Sequence, residues 1–362
     1  MTLYDRFIVR RLAVTFVRSL LALAGLYVAV DLVTHRSGTI MSKGVPWSVV
    51  AEYYAVSTPV VLYEQPLAAL AVLVTGLAVL GGAAQRNELT ALLASGVSLR
   101  RIAAWPVACG VAVTAMVFVF SQTLGVAAAA RSQEIEELYL VTSGAVPRHG
   151  VSWTNLPGDW DCHVMKFNRR ALSGEDVLML GTTGGESQQI RAKRIYWNPS
   201  RLEWIIEDGI WSTFNSKEGM SGVHRRIRQE TAPLRETPDR LFAFEDDGAA
   251  KSAGDLAATI GIARDWGIPT TRLEVAYQTR FAKPVLCAVM MLLALPFALR
   301  VRRGGVAIGL GVSIAVGLAY LLVFSLAEGL GSMGRIPVAA GAWSANIVFA
   351  LVGLELLRRT PT

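Results

Sequence analysis

The sequence predicts a helical membrane protein: six transmembrane helices in two groups of three, with an all-β domain inserted between the groups. Hydrophobic residues make up 52% of the 362 residues and charged residues only 17%, which is unusual for a soluble globular protein. Six apolar stretches have about the 20 residues that cross a hydrocarbon core of about 30 Å. Segment 129–280 contains no comparable stretch and is therefore expected in water.

The predicted spans cover residues 12–33, 57–83, 102–128, 281–299, 306–326 and 336–357. The first apolar run is longer than that of a signal peptide and lacks an A-x-A-like cleavage site, so it is expected to be an uncleaved anchor. The predicted domains are 1–130 with the first three helices, 131–250 with the strands, 251–275 as an amphipathic connecting helix and 276–362 with the last three helices.

The distribution of basic residues predicts the orientation, because Lys and Arg near helix ends are retained on the cytoplasmic side. One set of span ends carries eleven arginines: Arg6, Arg10, Arg11, Arg86, Arg100, Arg101, Arg300, Arg302, Arg303, Arg358 and Arg359. The short loops of the opposite set carry only Arg36, Lys43 and Arg335. Both termini are therefore expected in the cytoplasm and the β domain on the far side. This bias accounts for the net charge of +7. The sequence has no stripe of basic residues with interleaved aromatics, which is the pattern that would predict nucleic-acid binding.

The inserted segment has the composition of β-strands, with short runs of Val, Ile, Trp and Tyr separated by turn residues. Residues 202–206 and 210–214 flank Asp208-Gly209, which favours a hairpin turn, and an all-β sandwich is expected. Its tryptophans are expected to form the core, with a lipid-binding groove as the alternative; they are Trp153, Trp160, Trp197, Trp204, Trp211 and Trp266. Ser252 and Asp255 have the spacing of a capping box at the start of the connecting helix.

The sequence lacks the usual signatures of an enzyme. It has no H-E-x-x-H or G-x-S-x-G pattern, no histidine and cysteine spacing typical of a metal site, and no G-x-x-x-x-G-K-[ST] phosphate loop. An ion-driven transporter would place carboxylates near the bilayer midplane, whereas Arg18, Asp31 and Glu64 lie toward the ends of their spans. These positions weaken the interpretation as an ion-driven transporter but leave it open.

The inner loop 85–101, QRNELTALLASGVSLRR, predicts a two-turn helix between two spans. Asn87 can cap it, Glu88 suits its positive N-terminal end and Gly96 can end it. Its apolar edge would consist of Leu89, Leu92 and Leu93. Two readings are open: a turn that rests on the bilayer surface, or a coupling helix that docks into a cytoplasmic ATPase with Glu88 facing a basic residue of that partner.

Three segments resemble the lipopolysaccharide-export permease family LptF/LptG, with LptG the nearer member: NELTALLASGVS, YEQPLAAL and RFAKPVLCAVMMLLALPFALRVRRGG. The resemblance implies a noncatalytic permease subunit of an ABC-type transporter in the inner membrane. It also implies a β-jellyroll-like periplasmic domain and the extraction of lipopolysaccharide from the outer leaflet toward the outer membrane. The alternative is a permease of another ABC exporter, of the lipoprotein-release or efflux type; an ion-coupled transporter or a membrane scaffold is a more distant one.

The partners that the resemblance implies are an LptB-like cytoplasmic ATPase dimer, an LptF-like paired permease, LptC/LptA-like periplasmic bridge proteins and lipopolysaccharide. ATP and Mg would be used by the ATPase, and no cofactor is expected on this chain.

Two sets of site residues follow from the resemblance. The ATPase-coupling set is Glu88, Leu89, Leu92, Ser95 and Gly96. The substrate-binding set is His35, Arg36, Arg280 and Lys283, at the outer ends of the first and fourth spans, where cations would meet lipid A phosphates. The alternative for the second set is anchoring at the membrane interface. Related chains often have a further Lys near the end of the first span, where this chain has apolar residues around Asp31, so a thin cationic rim is expected.

Overall fold

The computed structural model describes residues 3–140, 149–156, 158–168, 171–183, 186–214, 222–242, 251–300 and 305–359. The chain divides into two compact units. A helical unit consists of Met1–Leu140, Asp247–Ala257 and Thr271–Thr362, and a β unit consists of Val141–Asp246 and Ala258–Thr270. Arg302 and Arg303, which contribute to the predicted orientation, lie outside the described residues, as do 141–148, 215–221 and 243–250 of the predicted β domain.

The first part of the helical unit contains seven helices and two π-helical turns. They are α1 (Leu3–Asp31), a π-helical turn (Leu32–Arg36), α2 (Ser37–Lys43), α3 (Trp47–Glu64), α4 (Leu67–Gln85), α5 (Glu88–Ala94), α6 (Leu99–Gln122), α7 (Leu124–Ile135) and a second π-helical turn (Glu136–Leu140).

The β unit contributes β1 (His149–Leu156), β2 (Trp160–Asn168), β3 (Ser173–Thr183), β4 (Glu186–Asn198), β5 (Glu203–Phe214), β6 (Gly222–Thr231) and the short α8 (Pro238–Phe242). The remaining helices are α9 (Ala253–Asp265), α10 (Thr271–Arg300), α11 (Gly305–Ser332) and α12 (Val338–Arg358).

Six helical stretches in the described part of the chain are long and apolar enough to cross a membrane: Tyr4–Lys43, Leu67–Gln85, Arg101–Gln122, Thr271–Ala298, Gly311–Ser332 and Val338–Arg358. The β-strands lie between the third and the fourth. The predicted fold class, six membrane helices with an inserted β domain, is confirmed.

The second predicted span, 57–83, is wrong at its beginning, because the helix breaks at Gln65-Pro66. Gln65 is extended, with ψ of 154°, as expected for a residue whose α conformation is disfavoured by the proline that follows it. The apolar residues before the break belong to α3 and those after it to α4. The third predicted span is similarly interrupted at Thr123, between α6 and α7.

The interior of the helical unit lies around α4 and α10. The apolar windows of these two helices are each 67% buried, whereas that of α1 is 0% buried and those of α6, α11 and α12 are each 28% buried. A Cβ at Gly76 would overlap the Ala294 side chain, so a small residue is what permits the close approach of α4 to α10. The other helices present apolar side chains such as Leu21 and Leu322 outward, as lipid-facing helices do.

All six described strands belong to one antiparallel sheet with the order β1-β2-β3-β4-β5-β6. Each strand is hydrogen bonded to its neighbour in sequence, so these strands form a meander and not the expected two-sheet sandwich. Trp153, Phe167, Trp204 and Phe242 contact one another on its buried side at ring-centroid distances of 5.3–6.2 Å. The remaining tryptophans of the segment are buried in this core or packed against it, which confirms the expectation of core packing.

The predicted hairpin turn at Asp208-Gly209 is wrong, since both residues lie inside β5. Ladder pairs flank them on both sides, for example Arg194 with Glu207 and Ala192 with Gly209, so the chain does not reverse there. Asp208 adopts a positive φ of 53°. The chain reverses instead between β4 and β5, where the Asn198 side-chain oxygen accepts a hydrogen bond from the Ser200 amide at 3.0 Å, as in an Asx-turn.

The capping box that begins α9 is confirmed. The Ser252 hydroxyl accepts a hydrogen bond from the Asp255 amide at 3.1 Å, and the Asp255 carboxylate accepts one from the Ser252 amide at 3.0 Å. Two backbone donors that the helix itself cannot satisfy are thereby satisfied.

Candidate headgroup and coupling sites

The short helix α5 contains the predicted coupling residues. It covers Glu88–Ala94 and is preceded by Asn87 at a φ of 59°. The prediction that the Asn87 side chain caps the helix is wrong: it makes no such bond, and the Asn87 carbonyl instead accepts a hydrogen bond from the Ala91 amide at 2.9 Å. At the other end the Ser95 hydroxyl donates to the Leu92 carbonyl at 2.8 Å. Gly96 has a φ of +86°, a conformation that favours glycine.

The apolar edge of α5 packs against the chain itself. Leu89 is only 1% exposed and packs with Ala83 and Ala84 of α4 and Ile102 of α6. Leu92 and Leu93 are partly buried against the same cluster. A seven-residue helix is unstable alone in water, so this packing is what holds α5 across the ends of α4 and α6.

Glu88 forms an ion pair with Arg86, with 2.5 Å between the carboxylate oxygen Oε1 and Nε of the guanidinium. The Arg86 side chain is exposed and that of Glu88 partly so. Such a pair contributes little stability, about 0–1 kcal/mol. The arrangement therefore separates the packing residue Leu89 from a charged group that a partner can reach.

His35 and Arg36, the first half of the predicted substrate-binding set, lie in the π-helical turn after α1. Arg36 Nη2 donates to Glu136 Oε1 at 2.9 Å and to the Tyr53 hydroxyl at 3.0 Å, and Arg36 Nε lies 3.8 Å from Asp31 Oδ2. His35 is 71% exposed, with Nδ1 3.5 Å from Asp31 Oδ1. Arg36 is thus held by two carboxylates, whereas His35 extends into the surroundings.

Arg280 and Lys283, the second half of the set, lie three residues apart on α10 and therefore on one face of the helix. Both contact Glu64, the last residue of α3. Arg280 Nη1 lies 3.0 Å from Glu64 Oε1, and Lys283 Nζ lies 2.5 Å from Glu64 Oε2. One carboxylate thus uses both of its oxygens to connect α3 to α10.

The sequence reasoning missed Glu64 as a partner. The signal available was the YEQP segment, in which an acidic residue of an apolar stretch stands just before a proline that breaks the helix. A carboxylate in such a position requires a cationic partner, and the paired spacing of Arg280 and Lys283 could have provided it.

A cavity of about 200 Å³ lies beside this ion cluster. Its lining includes polar residues from the α3–α4 break, α10 and α11: Glu64, Gln65, Lys283, Ser325 and Glu328. Its lining also includes apolar residues such as Leu286 and Phe324. Lys283 faces this space, whereas Arg280 is not among its lining residues.

The predicted substrate-binding residues thus form two pairs. His35 and Arg36 contact Asp31, and Arg36 also contacts Glu136, whereas Arg280 and Lys283 contact Glu64. The described residues also contain no group of three or more His, Cys, Asp or Glu side chains that could hold a metal ion.

Six helices that are long and apolar enough to cross a membrane, with a β-sheet inserted between them, define a multi-pass membrane protein. The model of the family described as lipopolysaccharide export system permease LptF/LptG matches residues 6–359. A search of curated proteins finds no match. The chain belongs to the family whose model matches it. It is therefore a noncatalytic transmembrane subunit of an ABC system that transports lipopolysaccharide.

Proposed function

We propose that the chain is the LptG-like member of a permease pair and extracts lipopolysaccharide from the outer leaflet of the inner membrane for transfer to periplasmic bridge proteins. The observation that carries the lipopolysaccharide-export role is the family match over nearly the whole chain, and the LptG-like assignment rests on the resemblance of the three sequence segments. The distribution of arginines supports a cytoplasmic location for both termini and a periplasmic location for the β unit. An LptF-like chain would be the second permease, and LptC/LptA-like proteins the bridge.

In this proposal α5 transmits the work of an LptB-like ATPase dimer, which alone uses ATP and Mg. The packing of Leu89 against α4 and α6 supports the role, because a force applied to α5 would reach two long helices directly. The partly exposed Glu88 carboxylate is suited to a basic residue of the ATPase. In this role Leu92 adds to the packing of α5. The Ser95 hydroxyl bonds to the last turn of the helix, and Gly96 ends it with its positive φ.

The headgroup role of His35, Arg36, Arg280 and Lys283 is part of the same proposal. Phosphates on the lipid A disaccharide would meet these cations, while acyl chains pack on apolar faces of the membrane helices. The cavity that Lys283 lines contains both charged groups and apolar side chains such as Leu286 and Phe324, the mixed lining that an amphipathic ligand requires.

The test is ATP-dependent release of lipopolysaccharide from proteoliposomes that hold the chain with its copurified partners. We expect Glu88→Arg to abolish release and Arg36→Ala combined with Lys283→Ala to weaken it. Lys193→Ala is a matched control, since Lys193 is an exposed cation of the β unit paired with Asp208. A wild-type complex that hydrolyses ATP but releases no lipopolysaccharide would contradict the proposal.

The pairing is tested separately by coexpression. Stable complexes with an LptF-type partner, and none with a second LptG-type chain, are the expected result. A complex that assembles equally well with either would contradict the LptG-like assignment.

A further inference from the structure

Three cations of the proposed headgroup site already pair with carboxylates of the same chain. Glu64 accepts from both Arg280 and Lys283, and Glu136 accepts from Arg36 at 2.9 Å. A phosphate that approaches these groups therefore meets donors that are already hydrogen bonded to carboxylates. Headgroup binding at α10 requires an exchange of one anion for another.

The two α10 cations differ in how available they are for this exchange. Arg280 is 6% exposed and does not line the cavity, whereas Lys283 is 29% exposed and lines it together with Glu64. Arg280 is thus a fixed anchor for the Glu64 carboxylate. Lys283 is the cation that a ligand in the cavity can reach.

The position of Glu64 suits it to such an exchange. It is the last residue of α3, directly before the break at Gln65-Pro66, and it makes one bond with each oxygen, to Arg280 through Oε1 and to Lys283 through Oε2. Release of Lys283 alone would leave the bond to the buried Arg280 in place. The carboxylate could then stay neutralised while Lys283 turned to a ligand.

We propose that Glu64 is a built-in anion that occupies Lys283 in the empty site and is displaced from it by the phosphate of the bound lipid headgroup. This inference rests on the proposed headgroup role of Lys283. The three side chains carry a net charge of +1, because one carboxylate offsets one of the two cations. Glu64 therefore weakens the attraction for a phosphorylated headgroup, and more so for a headgroup with more than one phosphate.

The charge balance fixes the direction of the expected effect. Phosphate and carboxylate compete for the same charge-assisted hydrogen bonds, so removing the Glu64 charge removes the competitor. Lys283, which lines the cavity, is then free to pair with the phosphate alone. Loss of one such competing ion pair corresponds to roughly tenfold tighter binding.

A purely structural clamp between α3 and α10 would give the opposite result. If Glu64 only holds the two helices together, Glu64→Gln loosens the site and weakens binding of every ligand without regard to phosphate number. The sign of the affinity change and its dependence on phosphate number thus separate the two roles.

The experiment measures the Kd of bisphosphorylated and monophosphorylated lipid A for the full chain, purified in detergent with its copurifying partners. The variants are Glu64→Gln, Glu64→Asp and Lys283→Ala. The matched control is Glu52→Gln, because Glu52 lies on the same helix and also pairs with an arginine, Arg131, at 2.6 Å. Glu64→Asp keeps the charge but is one methylene shorter, so it provides a reading if Glu64→Gln fails to fold.

We expect Glu64→Gln to tighten binding by roughly tenfold, with a larger gain for the bisphosphorylated lipid. Glu64→Asp, which cannot reach both donors, should show a smaller gain, and Glu52→Gln should match the wild type. Weakened binding by Lys283→Ala without any gain in the Glu64 variants would overturn this inference and leave the headgroup role intact. Wild-type affinity in Lys283→Ala would overturn the headgroup role of α10 and the inference with it.

Discussion

Truncation of Leu89 is expected to detach α5 from the helical unit. Leu89 is 1% exposed among Ala83, Ala84 and Ile102, and its neighbours are too small or too constrained to fill the space that Leu89→Ala leaves. Burial of this kind is worth about 3 kcal/mol. An isolated seven-residue helix has no stability of its own. The lost burial free energy therefore lowers the stability of the docked α5 by the same amount.

Hydrogen exchange of the segment around α5 measures this effect. The Ala91 and Ser95 amides are bonded to the carbonyls of Asn87 and Ala91 and exchange only when the helix opens. A loss of about 3 kcal/mol should speed their exchange by about two orders of magnitude. Copurification of the ATPase should fall in parallel, since a detached helix presents no fixed surface.

Ala94→Ser is the matched control, because Ala94 is exposed on the same helix and the change costs about 0.5 kcal/mol in helix propensity. Leu89→Ala with unchanged exchange around α5 would refute the argument that packing of this one side chain holds the helix. Rapid exchange with undiminished ATPase copurification would refute the step from docking to coupling.

Three further predictions concern other residues. Glu88→Arg should abolish ATPase copurification while hydrogen exchange of α5 stays as in the wild type, because the pair with Arg86 contributes only about 0–1 kcal/mol; faster exchange in this variant would show a folding defect instead. Ser252→Ala should destabilise the start of α9 by about 1 kcal/mol, measured by exchange of that helix. Hydrogen bonds from Ser252 hold the pKa of the Asp255 carboxyl below its usual value, so this stabilisation should be complete above the usual Asp pKa and disappear as the pH falls through the lowered one; loss already at neutral pH would contradict it. Burial raises the pKa of the Cys162 thiol to about 12, so iodoacetamide at pH 8 should label Cys162 only after denaturation, and labelling of the native protein would contradict the buried position.

The membrane topology could be predicted because it depends on lengths and compositions that the sequence shows directly. An apolar stretch that spans the hydrocarbon must be a helix to satisfy its backbone groups, so six stretches predicted six helices. The exact ends were less predictable. Pro66 lies inside the predicted span 57–83, where it separates α3 from α4 and so decides where α3 ends.

In the β unit, strand pairing overrides the conformational preference of a local dipeptide. Asp208-Gly209 is a strong hairpin dipeptide, but β4 and β6 pair with β5 on both sides of it. A Cβ at Gly209 would lie 3.0 Å from the Ala192 Cα, so the glycine permits a close approach between strands and does not form a turn. Asn198, a weaker signal in the sequence, makes the turn because its side chain satisfies a backbone amide that the strands leave free.

The contacts of the site cations could not be predicted in the same way, because they join residues far apart in the chain. Arg280 and Lys283 were identified as cations at the end of a span, and an exposed cation there would attract any phosphate. Glu64 changes that conclusion, since its carboxylate reaches both across the α3–α10 contact. The net attraction for a phosphate is the interaction free energy of Lys283 with the phosphate minus that of Lys283 with Glu64. In the proposed exchange, such a site would bind a headgroup strongly enough to orient it but at reduced net strength, a balance that suits a subunit that must also release its lipid.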